Sequence, residues 1–137
     1  MILLDTHVAI WLVADPARLS RAARERITRA LSSDQPNPGV AIASITLWET
    51  ALLVERGHVV LRGAHGTEAA VGKIVEEGGF QIIPLTVRAA AIAAALPRTF
   101  PKDPADRLIA GTALAEGLAL VTSDKPIRDS GALDAIW

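Results

Sequence analysis

The sequence contains no cysteine and no tyrosine, and its only aromatic residues are three tryptophans and two phenylalanines. Without cysteine there is no disulfide framework, no thiolate zinc site and no catalytic thiol. That composition suits a reducing compartment. An excess of charge of one sign is also lacking. Fourteen Lys and Arg stand against 15 Asp and Glu, a net charge of -1, so a basic coat around a polyanion is excluded. Any contact with nucleic acid has to be local or assisted by a metal. No apolar run approaches the roughly 20 residues that cross a bilayer. The opening segment MILLDTHVAIWLVA is apolar but holds Asp5 and His7 and lacks a basic leader, so no signal peptide is expected. A soluble cytoplasmic protein is the expectation.

What is present is apolar mass: half of the 137 residues are hydrophobic. Such a chain buries about two-thirds of its surface on folding, and intrinsic disorder is excluded. The length suits one domain, 1–137. No internal repeat or low-complexity stretch divides it. Ser32 to Gly39 (SSDQPNPG) reads as a loop between ordered elements.

Short aliphatic runs alternate with longer helical patterns. Strands are expected at Met1–Leu4, Val40–Ala43, Gln81–Ile83 and Leu118–Val121, with a fifth at Ala135–Trp137. Helices are expected at Ser20–Leu31, Thr46–Arg56, Thr67–Glu77, Thr86–Leu96 and Pro104–Glu116, with glycines closing three of them. This alternation predicts an α/β fold in three layers. A twisted, mostly parallel sheet of four to five strands lies between helices on both faces. In such sheets ligands bind beyond the carboxyl ends of the strands.

That rule turns scattered acids into a candidate site. Asp5 directly follows the first strand and Asp124 follows LALVT, while Glu49 lies on the helix after the second strand. Asp103 and Asp106, three residues apart at the start of another helix, share a face. Each acid also has a purely structural reading. Asp5, Asp103, Asp106 and Asp124 all stand where a carboxylate satisfies free helix N–H groups, and Glu49 suits a solvated helix position. Capping alone, however, does not require an acid at every strand exit. Several carboxylates on one rim repel one another unless a cation sits among them. Oxygen donors without cysteine suit Mg²⁺ or Mn²⁺ and not zinc.

Four segments in order, LLDTH, ITLWE, DPADRLIAGTALAEG and LVTSD, resemble the PIN-domain family, and within it the VapC-type toxins of bacterial toxin–antitoxin pairs. The resemblance spans nearly the whole chain and implies a PIN-like fold. It places the family's acidic quartet on Asp5, Glu49, Asp106 and Asp124, with Asp103 as an accessory acid. Thr6 matches the small polar residue after the first acid, and Thr122 the hydroxyl residue before the last. It further implies an endoribonuclease dependent on Mg²⁺ or Mn²⁺, a homodimer, RNA as substrate, and inhibition by a small cognate antitoxin. Asp5, Asp106 and Asp124 would bind metal, and Glu49 would bind a second ion or position water. The products would carry a 5′-phosphate and a 3′-hydroxyl. Where the family often has histidine before the DPxDR motif, this chain has Pro101 and Lys102. Where it often has tyrosine after the last acid, Ile127 is followed by Arg128, Asp129 and Ser130. Neither position is a metal ligand.

Other residues divide between roles. Arg107, beside Asp106, either holds a phosphate or orients the carboxylate. Arg18, Arg21, Arg24, Arg26 and Arg29 form a basic segment, read as a solvated helix face paired with Glu25 or as a track for RNA or an acidic partner. Lys125 reads as an exposed lysine near the rim. His7 reads as packed or solvated, with a ligand or proton-shuttle role as its alternative. Trp11, Trp48 and Trp137 read as packing residues, since no basic–aromatic interleaving surrounds them. Three rival functions remain. A receiver-like signalling domain shares the fold and the LVTSDK tail, but needs a pair of acids after the first strand and a phospho-accepting Asp after a later one. Here Ala43 and Pro84 stand where the second would be. A serine hydrolase lacks its G-x-S-x-G turn. A PIN-fold module that binds without cleaving would not need the quartet intact.

Overall fold

The computed structural model describes residues 1–32, 34 and 38–137. The loop expected at Ser32 to Gly39 therefore lies partly outside the described residues. In chain order the elements are β1 (Ile2–Leu4), α1 (Thr6–Ala14), a 3-10 turn (Pro16–Arg18), α2 (Arg21–Leu31), β2 (Val40–Ala43), α3 (Ser44–Glu55) and α4 (Thr67–Gly78). They continue with β3 (Gln81–Ile83), α5 (Val87–Ala95), α6 (Pro104–Glu116), β4 (Leu120–Val121), α7 (Lys125–Asp129) and β5 (Ala135–Ile136). The five strands form one sheet in the order β3-β2-β1-β4-β5, and every pairing is parallel. The α/β expectation holds, with all pairings parallel.

Strand alternation divides the core into two layers. Successive strand side chains point to opposite faces, so Ile2 and Leu4 of β1, Val40 and Ile42 of β2, and Val121 of β4 join one cluster. There they meet Val8, Ala9 and Ile10 of α1, Ala23, Ile27 and Ala30 of α2, and Ala70 and Ile74 of α4. Leu3, Ala41, Ala43 and Leu120 face the other way, onto Ile109, Ala110 and Ala113 of α6 and Ile127 of α7. The three β1 side chains are completely buried, as a central parallel strand covered on both faces must be.

Boundary differences from the sequence expectation have local causes. Ser20 and Thr86 lie outside their helices as N-caps, each accepting the backbone N–H three residues on. α3 starts at Ser44 with no side-chain cap, because its entry follows directly from β2. The first segment yields a nine-residue helix, α1, whose mean pattern is apolar all round. Its sequence carries little amphipathic signal for that reason.

The strand order reverses at β1. From there the chain runs outward to β2 and β3 on one side, and later to β4 and β5 on the other. The crevice beyond the carboxyl ends of β1 and β4 is the position where such sheets bind ligands.

Candidate metal centre

Asp5 follows β1, and its carboxylate caps α1. Oδ1 accepts the Thr6 N–H at 2.7 Å, and Oδ2 accepts the hydroxyl of Thr122 at 2.5 Å. Asp124 follows β4 and caps α7, its Oδ1 accepting the Ile127 N–H at 2.9 Å. Asp103 caps α6 through Ala105 and Asp106 N–H groups at 2.9 and 3.3 Å. The structural reading is thus correct for three acids, and each capping bond uses Oδ1. Asp103 and Asp124 each keep a second oxygen for other work, while the second oxygen of Asp5 accepts from Thr122.

All five acids line one cleft of about 670 Å³: Asp5, Glu49, Asp103, Asp106 and Asp124, together with Thr6, His7, Trp11, Arg18, Ser123 and Lys125. Glu49 comes from α3 and is steadied by Thr6, whose hydroxyl donates to Oε2 at 2.5 Å and stands 3.4 Å from the Thr46 hydroxyl. Thr122 is fully buried beneath the cleft. Its Oγ1 donates to Asp5 and accepts the Asp124 N–H at 3.0 Å, so one hydroxyl ties the two acids together.

Burial and mutual repulsion govern the charges. Burial raises the Asp5 pKa above its ordinary value, against the lowering pull of the Thr122 and Thr6 bonds and of His7. Burial likewise raises Glu49, helped by Asp5 and Asp103 and opposed by Thr6. Asp106 is pushed up to about 7, first by burial and then by the charges of Asp5, Asp103, Asp124 and Glu49. Among the described residues no donor serves its carboxylate.

A hard divalent cation fits this donor set. The cleft offers carboxylate oxygens with no sulfur, and its half-buried Asp106 is opposed by four like charges without a hydrogen-bond donor of its own. As the side chains stand, no three His, Cys, Asp or Glu among the described residues are gathered closely enough to hold an ion. Five carboxylates facing one another spread apart, and gathering three about one cation takes rotation of these side chains.

Arg107 stands elsewhere. It is absent from the residues lining the cleft. Its guanidinium donates to the carbonyls of Ala93, Leu96 and Pro101 at 3.2, 2.6 and 3.3 Å, beside the Phe100 ring. It closes the C-terminal end of α5, instead of orienting Asp106 or holding a phosphate. Lys125 lines the cleft but pairs with Asp129. Trp11, read from the sequence as packing, and Arg18, read as solvated surface or part of a track for RNA or an acidic partner, both line the cleft as well. Their seven-residue separation spans a helix, a cap and a turn, so no single periodicity pairs them.

The model of the PIN domain family matches residues 2–132. This chain belongs to the PIN-domain family. Ribonuclease VapC22 of Mycobacterium tuberculosis is 40% identical over 127 residues, covering 93% of this chain and 89% of that protein. Among solved structures, VapBC2 from Rickettsia felis bound to a promoter DNA fragment superposes with a TM-score of 0.69 at 18% identity, over 98% of this chain and 97% of that one. A toxin–antitoxin complex from Klebsiella pneumoniae does so with a TM-score of 0.59 at 24% identity, over 96% and 94%. These two likenesses establish the fold that the PIN domains share.

Proposed function

We propose that the chain is an endoribonuclease toxin dependent on Mg²⁺ or Mn²⁺, a single domain acting in the cytoplasm and inhibited by a small cognate antitoxin. The observation that carries this reading is the gathering of Asp5, Glu49, Asp106 and Asp124, from four separate elements, around one cleft at the strand-order reversal. The kinship with ribonuclease VapC22 supports RNA as the substrate. The toxin–antitoxin complexes among the structural neighbours support the antitoxin. No described helix is long and apolar enough to cross a membrane. An apolar strip along the β3 edge (Ile82, Leu85 and Val87, from 44% to 90% exposed) suits a homodimer contact.

Asp5, Asp106 and Asp124 would hold the cation, with Asp103 as an accessory acid. When bound, the cation supplies a more acidic water and neutralises charge on the non-bridging phosphate oxygens. Glu49, steadied by Thr6, orients the attacking water or helps hold a second ion. Thr122 fixes the Asp5 carboxylate and the backbone of Asp124, so that two acids from neighbouring strands keep a common aim. Hydrolysis leaves a 5′-phosphate and a 3′-hydroxyl. A receiver-like reading gains nothing from the geometry, because β2 and β3 end in Ala43 and Ile83 and deliver no acid to the cleft.

Incubating synthetic single-stranded RNA with the protein in Mn²⁺, Mg²⁺ or EDTA tests the proposal. Cleavage in either ion and none in EDTA, with 5′-phosphate ends, is the expected result. Equal cleavage in EDTA would overturn it.

A further inference from the structure

A cleft built from five carboxylates poses a problem for a substrate that is itself a polyanion. Cations bound by the acids offset charge at the reacting phosphate, but the rest of the RNA backbone still meets a negative wall. Among the described residues two permanently cationic side chains line the cleft, Lys125 and Arg18, beside the imidazole of His7. Lys125 is engaged with Asp129. The Arg18 side chain has no hydrogen-bond or ion-pair partner among the described residues.

Arg18 nevertheless stacks on a ring. Its guanidinium carbon lies 4.2 Å above the centroid of the Trp11 ring. Trp11 in turn packs against His7 and Trp137, with ring centroids 5.8 Å away in each case. Stacking on an aromatic face restrains the guanidinium and leaves its edge, with its N–H groups, free to bind. A planar edge of donors matches phosphate oxygens.

Position supplies the second observation. Arg18, Trp11 and His7 line the acidic cleft and also an adjoining groove of about 430 Å³, whose wall mixes apolar Ile10, Leu53 and Val59 with Asp15 and His58. The pair therefore stands where the two cavities meet, so a strand passing from one to the other runs beside the guanidinium.

Resting on the nuclease reading above, we infer that Arg18, held over Trp11, binds a non-scissile phosphate of the RNA and directs the neighbouring nucleoside into this groove. Arg18 is a positioning residue, and it is the cleft's contribution to holding substrate apart from any ion.

The test separates binding from chemistry. Binding of a fluorescein-labelled single-stranded RNA 10-mer is measured by anisotropy in EDTA across a salt series, in Asp106→Asn protein and in the same protein with Arg18→Ala or Arg18→Lys. Arg18→Ala is expected to weaken binding about tenfold, as the loss of one charge-assisted contact does. It should also reduce the slope of log affinity against log salt by about 0.7. Arg18→Lys should restore the slope, since the charge remains, but not the full affinity. In the cleaving protein Arg18→Ala should raise KM with little change in kcat. An unchanged affinity and slope in Arg18→Ala would overturn the inference. So would intact RNA binding alongside lost binding of a poly-glutamate peptide, which would assign Arg18 to a protein partner. Failure of the wild type to cleave RNA would instead overturn the nuclease reading, leaving the salt slope to decide the role of Arg18.

Discussion

The hydroxyl of Thr122 donates to Asp5 Oδ2 at 2.5 Å while accepting the backbone N–H of Asp124 at 3.0 Å, binding together the acids that follow the neighbouring strands β1 and β4. Both Thr122 and Asp5 are buried. Removing the hydroxyl leaves a buried carboxylate oxygen without its donor. Thr122→Val, which keeps the shape, should therefore raise the Asp5 pKa further and weaken Mn²⁺ binding by about 10- to 100-fold, the usual loss when a ligand's supporting contact is removed. Thr122→Ser should retain most of the affinity. Calorimetric Mn²⁺ titration of the three proteins checks this, and equal affinities would dismiss the role given to Thr122.

Asp106 couples the site to stability. Its folded pKa of about 7 lies above the ordinary value of 3.8, so between those values the folded protein binds more protons than the unfolded chain. Stability from this group consequently falls as pH rises from about 4 to about 7. Asp106→Asn should remove that loss, raising Tm in EDTA at pH 8 while having little effect at pH 4. Adding Mn²⁺ at pH 8 should stabilise the wild type more than the variant. Thermal scans at both pH values suffice, and a variant less stable than the wild type at pH 8 in EDTA would contradict the repulsion described here. By the same titration, cleavage at limiting Mn²⁺ should rise through neutral pH as Asp106 ionises.

Gly111 marks the closest approach of α5 and α6. A Cβ there would lie 2.6 Å from the Ala89 carbonyl oxygen and 2.7 Å from the Ala93 Cβ. Alanine gains about 1 kcal/mol over glycine in helix propensity, but overpacking costs about 1–3 kcal/mol. The clash is with backbone as well as side chain, so overpacking should win. Gly111→Ala is expected to destabilise by about 1 kcal/mol and Gly111→Val by more, read from urea midpoints. A stabilised alanine variant would show that the helices yield.

Arg107 is assigned to the fold. Its three carbonyl contacts imply that Arg107→Ala costs about 2 kcal/mol. Lysine should recover less than half, because one ammonium cannot reproduce the fork. Denaturation measures the cost. A variant of unchanged stability that no longer binds RNA would return Arg107 to the substrate.

The sequence showed the strands plainly, because short aliphatic runs bounded by turn and capping residues carry both the period and the break. β2 and β3 lie where they were expected, and α4 extends one residue past its predicted end, to Gly78. The acids Asp5, Glu49, Asp103, Asp106 and Asp124 are brought together as anticipated. Local pattern could not show which way Arg107 turns, since its partners lie six to fourteen residues earlier in the chain. The sequence offered Arg18 as part of a basic track for RNA, but its stacking on Trp11 was hidden for a similar reason. Its stacking partner, Trp11, sits on an apolar helix that reads as core, and only the turn after α1 folds the guanidinium back over the ring. Residue type and order placed the acids, but tertiary geometry decided what the arginines do.

On the function proposed above, the carboxylates around this cleft perform RNA cleavage. The most direct test is incubation of total cellular RNA in Mn²⁺ with wild-type protein and with Asp106→Asn protein shown by circular dichroism to be folded. Discrete fragments from the wild type and none from the variant are predicted. Cleavage by the variant at the wild-type rate would show that these carboxylates are not the catalytic groups.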